Sequence, residues 1–480
     1  GELPPAARSV CEKLLDGQSA LLVAPDPAGR ELPWKLAAAG GRLPLLVIAG
    51  ADRGLSRRAQ TLAGDLDLVV CHLHAELTDG ALEALAAQLA GGKWDAAFVS
   101  GRGLEDPRLM RAARALAPAL VVVEQAHRLS MRDRQYDLAW LRTAEITRAA
   151  RSVLALTDVA GAQAREDILQ QIAPHDGRIV LTGLDRPNVR IEVRKVPGEP
   201  QADAHLLGLF DAPPHRAVVY VGERVEAERI EALIREERGF DALDITNLRA
   251  REFAAALRRF REGGVRVLVT TGVLEPTPGW PDVPVVATVG LPESIELLRR
   301  QMQTAGGQDA SFTLIHRQEE GGEKNEGEYP ADDRARLERR ALTAAPDTGH
   351  LLALHAAAFT EERIAWAELS RRTGLHPEEI RLGLGALIRT GAVRPLAIGD
   401  DWMKAQAVGP LTGEMLEGWA RQAAQIRVAR LSHMEQVPEF ALTRGCRRRW
   451  LADALSYPLE EADCRCDRCS EQRCSRQLNR

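Results

Sequence analysis

Residues 121–130 read VVVEQAHRLS. The apolar run that begins at Ala119 and ends at Val123 shows no alternation with polar residues, the pattern of a strand buried on both faces of a parallel sheet. It gives way at once to Glu124, Gln125 and His127. What chemistry these polar residues serve depends on the rest of the chain.

Outward from this stretch the same pattern repeats. SALLVA (19–24), LPLLVIA (43–49), LDLVVCH (66–72), DAAFVS (95–100) and SVLALT (152–157) read as further buried strands. Ala/Leu/Arg segments such as ALEALAAQLA (81–90) lie between them and suit amphipathic helices. Strands alternating with helices predict a doubly wound parallel sheet. A second set follows DRPN (185–188): RAVVYVG (216–222), a helical VEAERIEALIREE (225–237), VRVLVTT (265–271), VPVVATV (283–289) and FTLIH (312–316). Residues 317–340 are charged and turn-rich, so they read as a linker or exposed loop. In 361–396 one helix ends at Gly374, a second starts near Pro377 with Ile380, Leu384 and Leu387 on one face, and an extended segment opens at Gly391. That is the layout of a winged helix-turn-helix. A long helix over about 411–433 leads to the C-terminal residues.

The composition bounds the function. The 480 residues suffice for three or four domains, and 45% hydrophobic with 27% charged residues fits a globular protein with a core. No apolar run is long enough to span a membrane, and the first residues lack a secretory-signal pattern, so a cytoplasmic, nucleoid-associated location is expected. A net charge of −5 excludes a uniformly basic nucleic-acid binder but not local patches. Two of the seven cysteines, Cys11 and Cys71, stand alone; Cys446, Cys464, Cys466, Cys469 and Cys474 crowd together. That cluster reads as a metal site.

The order of motifs resembles the RecQ family of DNA helicases over nearly the whole chain. APDPAGRE (24–31) stands at the family's phosphate-binding loop, VVVEQAHRLS at its Asp-Glu-Ala-His segment, and ALTDVA (155–160) at its Ala-Leu-Thr-Ala-Thr-Ala motif. TGLDRPNVR (182–190), PDV (281–283), LPES (291–294) and CRRRWL…CRCDRC (446–469) complete the series. The resemblance implies an α/β fold of two RecA-like doubly wound parallel-sheet lobes, followed by a winged-helix domain and a small helical zinc-binding domain. The expected boundaries are 1–190, 191–340, 341–410 and 411–480. It also implies DNA, single-stranded or a junction, as partner, with DNA repair or replication proteins.

The departures fall where the family's chemistry should be. A phosphate loop needs glycines for its wrapping N–H groups, Lys for the β/γ oxygens and Ser/Thr for Mg²⁺. Here Asp26 and Pro27 enter the loop, Gly29 is kept, Arg30 replaces Lys and Glu31 replaces Ser/Thr. Pro27 removes a donor, and Asp26 and Glu31 bring negative charge to a phosphate position. Glu124 replaces the Mg²⁺-anchoring Asp, and Gln125 replaces the Glu that polarises water. An amide cannot act as a base, and losing one costs about 10²–10⁴ in rate. In the second half GVLEPTPGWPDV (272–283) carries Pro276 and Pro278 at a Gly-x-Gly segment. QMQTAGGQ (301–308) puts Ala305 and Gln308 where the family has arginine fingers, worth about 10³–10⁵ in turnover. The adenine-reading segment becomes LPPAA (3–7) and the aromatic-rich loop MRDRQYD (131–137). The expectation is a pseudo-helicase that binds ATP and Mg²⁺ weakly at best. The alternatives are a divergent active 3'-5' helicase and a zinc-containing winged-helix regulator or scaffold.

His127 is expected to be packed rather than catalytic, and Asp185 to Asn188 to fix the geometry between lobes. Cys446, Cys464, Cys466 and Cys469 can close a tetrahedral structural zinc site, with Cys474 as the other candidate for the fourth ligand. Arg447, Arg448 and Arg449 beside it, with Arg371, Arg372 and Arg381, form a candidate phosphate-contacting surface.

Overall fold

The computed structural model describes residues 4–50, 54–133, 135–172, 177–211, 216–246, 248, 250–274, 280–318, 332–357, 363–399 and 402–470. The chain divides into two compact units. The first comprises Gly1–Ala24, Gly29–Thr182 and Leu342–Arg430; the second comprises Pro25–Ala28, Gly183–Ala341 and Leu431–Arg480.

The first unit is built on seven parallel strands: β1 (Ala20–Val23), β2 (Leu45–Ala49), β3 (Val70–Leu73), β4 (Ala96–Ser100), β5 (Leu120–Val123), β6 (Ser152–Thr157) and β7 (Arg178–Leu181). Their order is β3-β4-β2-β5-β6-β1-β7, so the central strands must be apolar on both faces. β5 obeys this: all four of its residues are buried, with Leu120 opposite Leu45 on β2 and Ser152 on β6. Two helices flank the C-terminal ends of these strands in sequence: α1 (Pro27–Ala39) after β1 and α2 (Leu55–Leu66) after β2.

The same unit holds residues beyond 341. Helix α3 (Trp366–Thr373) ends at Gly374, whose φ of +72° is the left-handed conformation a helix stop commonly uses. Helix α4 (Pro377–Arg389) starts from a capping box in which Glu379 accepts the His376 N–H at 2.8 Å. An antiparallel sheet of β14 (Ile364–Ala365), β15 (Val393–Ile398) and β16 (Trp402–Ala407), in order β14-β16-β15, completes the module. Its core joins Leu369, Ile380, Leu384, Leu387 and Met403 to Tyr136 and Leu138 from the segment that follows β5.

The second unit carries six parallel strands in the order β10-β11-β9-β12-β13-β8. They are β8 (Arg190–Val196), β9 (Ala217–Val221), β10 (Ala242–Asp244), β11 (Val267–Thr270), β12 (Val285–Val289) and β13 (Ser311–Arg317). Val219, Val221, Val267, Val269, Ala287 and Ile315 pack against Ala227, Ile230 and Ile234 of the helix Arg224–Arg238. The cysteine-rich residues belong to this unit, with helix α5 (Arg447–Leu455) beginning directly after Cys446. No helix among the described residues is long and apolar enough to cross a membrane.

Candidate functional site

In the first unit, β5 delivers Glu124 and Gln125 at the end of the sheet, and α1 delivers Gly29, Arg30 and Glu31 in its first turns. Helix α1 starts at Pro27, so Gly29 and Arg30 are helical rather than part of an open loop. Proline is at home at a helix start because its missing N–H would have had no partner there. Asp26 is exposed just ahead of the helix.

The two carboxylates are joined by a residue the sequence did not single out. Arg58, in the first turn of α2, donates to both Glu124 oxygens at 2.8 and 2.5 Å and to Glu31 at 3.1 Å. Lys35 pairs with the other Glu31 oxygen at 2.8 Å. Burial alone would lower the Arg58 pKa, but the hydrogen bond and charge of Glu124, then those of Glu31, outweigh it and hold the guanidinium above its ordinary value. The Phe98 ring, 5.6 Å from the guanidinium carbon, covers it. Two cations therefore neutralise the two carboxylates at this spot. The only signal in the sequence was Arg58 itself, sixty-six positions from Glu124 and in no motif.

Gln125 adopts φ +49°, ψ +42°, the left-handed region that a residue with a Cβ rarely occupies. Its amide lies against Gly50, where an added Cβ would stand 2.2 Å from Oε1. Gly50 is the close approach that lets the side chain fold there. His127 is buried, as expected, but it is also wired: Nδ1 lies 3.0 Å from Thr157 Oγ1 and Nε2 lies 3.3 Å from Gln135 Oε1. Asp158 stands 3.7 Å from Nδ1.

In the second unit Ala305 is buried and Gln308 exposed. Neither side chain carries charge; their carbonyls accept from Arg186 and Arg465 respectively. Pro276 and Pro278 lie outside the described residues. Asp185 turns to the cysteine module: Arg448 donates to it through Nε at 2.8 Å and through Nη2, and the Glu460 N–H at 2.8 Å. Burial pushes its carboxyl up, but these donors, Arg448 first, bring it below the ordinary range.

The Sγ atoms of Cys446, Cys464, Cys466 and Cys469 all lie within 4.8 Å of one another. Thiolates at the corners of a tetrahedron with Zn–S bonds of about 2.3 Å stand about 3.8 Å apart, so the four can hold a metal ion such as zinc. Cys446 also caps α5, its sulfur accepting the Arg449 N–H at 3.5 Å. Cys474 lies outside the described residues. Asp467, inside the ligand loop, accepts from Arg447 Nε at 2.7 Å and from the Val193 N–H of β8 at 3.2 Å. The loop is thereby tied to the edge of the second sheet.

The candidate arginine surface needs correction. Arg447 is fully buried, spent on Asp467 and on the Phe440 carbonyl at 2.7 Å. Arg448 is buried on Asp185. Neither can reach a phosphate; both are internal pairs, because a guanidinium enclosed by protein must find acceptors there. Arg449 is exposed, as are Arg371 and Arg372, which share Glu368. Arg381 is partly covered, 3.9 Å from Glu378.

No protein-family model matches the chain. Human ATP-dependent DNA helicase Q4 is 25% identical over 339 residues, covering 65% of this chain and 28% of that protein. The crystal structure of the DUF1998 helicase MrfA bound to DNA superposes with a TM-score of 0.54 at 14% identity, over 85% of this chain and 61% of that one. The same helicase bound to DNA and AMPPNP gives 0.51 at 16% identity, over 65% and 48%. The chain thus spans less than two thirds of each of these relatives. With the two parallel sheets, these likenesses show a fold shared with the MrfA helicase, two RecA-like α/β sheets, and the second unit adds a four-cysteine cluster.

Proposed function

We propose that the protein is a RecQ-like pseudo-helicase of DNA repair or recombination: it binds DNA on a helicase frame without turning over ATP. One observation carries the reading. Arg58 lies between Glu31 and Glu124, the two side chains that would have to hold magnesium if the RecQ resemblance extended to chemistry. A Mg²⁺ ion needs open oxygen ligands in near-octahedral array. Here the oxygens are already occupied by a guanidinium fixed to the same unit. Gln125 offers no base, and Ala305 and Gln308 offer no positive charge to a γ-phosphate.

Residues 1–190 and 191–340 serve as the two lobes, 341–410 as a winged helix and 411–480 as a zinc-binding domain. Four thiolates leave no open coordination position, so the zinc is structural. Exposed Arg371, Arg372 and Arg449 supply phosphate contacts to single-stranded or junction DNA.

Calorimetric titration with ATP, with and without Mg²⁺, tests the reading alongside an ATPase assay containing single-stranded DNA. The expected result is no magnesium-dependent binding and no stimulated hydrolysis, with DNA retained at low salt. Low-micromolar Mg-ATP affinity with hydrolysis abolished by Glu124→Ala would overturn it.

A further inference from the structure

The two helices of the helix-turn-helix differ in what they leave uncovered. A reading helix must offer one face to the major groove, with its N-terminal residues at the base edges. Helix α4 is open chiefly at its two ends, at Glu378 and Glu379 and again at Ile388 and Arg389. From Leu382 to Leu387 every residue is buried, Ile380 is too, and Arg381 is the one partly open position in that run. It shares the module core with Leu369 and Met403 on one side and meets Leu138 on another. A Cβ added at Gly385 would stand 2.8 Å from the Leu138 Cβ, and one at Gly383 2.4 Å from Leu354 Cδ1. Both glycines let neighbours grip the helix closely. The N-terminal turn of α4 is moreover acidic, with Glu378 and Glu379 where a reading helix would approach phosphates.

Helix α3 is the reverse. Leu369 is buried, whereas Arg371 and Arg372 leave 77% and 47% of their side chains exposed and share one carboxylate, Glu368. Just ahead of α3, Arg363 stacks 4.0 Å from the Trp402 ring and pairs with Glu76. Positive charge in excess of local acids thus lies along α3.

We infer that α4 is an internal strut and that the module meets nucleic acid along α3, through backbone phosphates and without regard to base sequence. This rests on the DNA-binding reading above and specifies its mode. Phosphate contacts position a protein but carry no base code, so binding should be salt-sensitive and sequence-blind.

The test is fluorescence anisotropy of labelled duplexes of several unrelated sequences, and of single strands, against the full chain from about 50 mM salt upward. Expected are affinities equal within about threefold across duplexes, and a log K–log salt slope reduced by about 2 in Arg371→Ala/Arg372→Ala, at about 0.9 per lost phosphate contact. Arg381→Ala should leave the slope as it is. An unchanged slope in the double variant, or one duplex preferred more than tenfold with that preference lost in Arg381→Ala, would overturn the inference while leaving DNA binding intact. Wild-type protein that binds none of the probes would overturn both this inference and the DNA-binding reading.

Discussion

Arg58 shows how much one side chain can decide. Its bonds to Glu31 and Glu124 are only partly buried, so each is worth less than a fully buried pair, yet the three groups form a network. Arg58→Met would leave Glu124, the more covered carboxylate, beside Glu31 with only Lys35 to balance them. A stability loss of about 1–2 kcal/mol is expected from urea denaturation, above the usual value for surface pairs. Glu105 is a second residue with a measurable signature. It is buried, and burial first, then Asp137, raises its pKa to about 8 against the pull of Arg102, Arg142 and Arg389. The folded state therefore holds this proton more tightly than the unfolded chain, where Glu titrates near 4.5. Its contribution to stability is complete below that value and is lost as pH rises toward 8. Glu105→Gln should accordingly raise Tm more at pH 8 than at pH 5; equal shifts at both pH values would show that Glu105 titrates normally.

At the level of elements, the close approach of α4 to Leu138 makes a sharp prediction. Gly385→Val adds a side chain where even its Cβ would stand 2.8 Å from the Leu138 Cβ. Overpacking of this kind costs about 1–3 kcal/mol, and thermal melting should show it, whereas Gly418→Ala, in a helix with open space around the position, should be neutral or slightly stabilising. The elements themselves were largely legible. Parallel strands such as β5 and β9 are continuous apolar runs, and the stop at Gly374 and start at Pro377 are punctuation any helix must obey. What could not be read was partnership. The pairing of Arg58 with Glu124 depends on tertiary contact across sixty-six positions, and no local pattern encodes it. Arg447 and Arg448 misled for a related reason: a run of three arginines looks like a solvated patch, but a helix turns about 100° per residue, so neighbours face different ways. Only Arg449 of the three faces water.

Across the whole molecule, the cysteine cluster was legible because Cys464, Cys466 and Cys469 stand close together in sequence, whereas Cys446, eighteen positions before Cys464, is brought in by α5 and by the Arg447–Asp467 pair. Its consequences reach further than its ligands. The module is fastened to the second unit by Arg448 on Asp185 and by Asp467 on Val193. Metal analysis should return one zinc per chain, and Cys446→Ser should lower it to near zero. Chelation should then speed hydrogen exchange at the Glu460 and Val193 amides, both of which donate to carboxylates held by this module. Unchanged exchange at those amides in zinc-free protein would separate the metal from the fastening.

Val193 belongs to β8, the outermost ribbon of its sheet, which among the described residues is bonded to β13 alone. A ribbon of that kind, once uncovered, is a template on which a strand from another chain can be laid. Asp467 acts there as a stopper. Oxidising or stripping the thiols would therefore surface first as fibrous self-association, with the sheets behind the rim still intact.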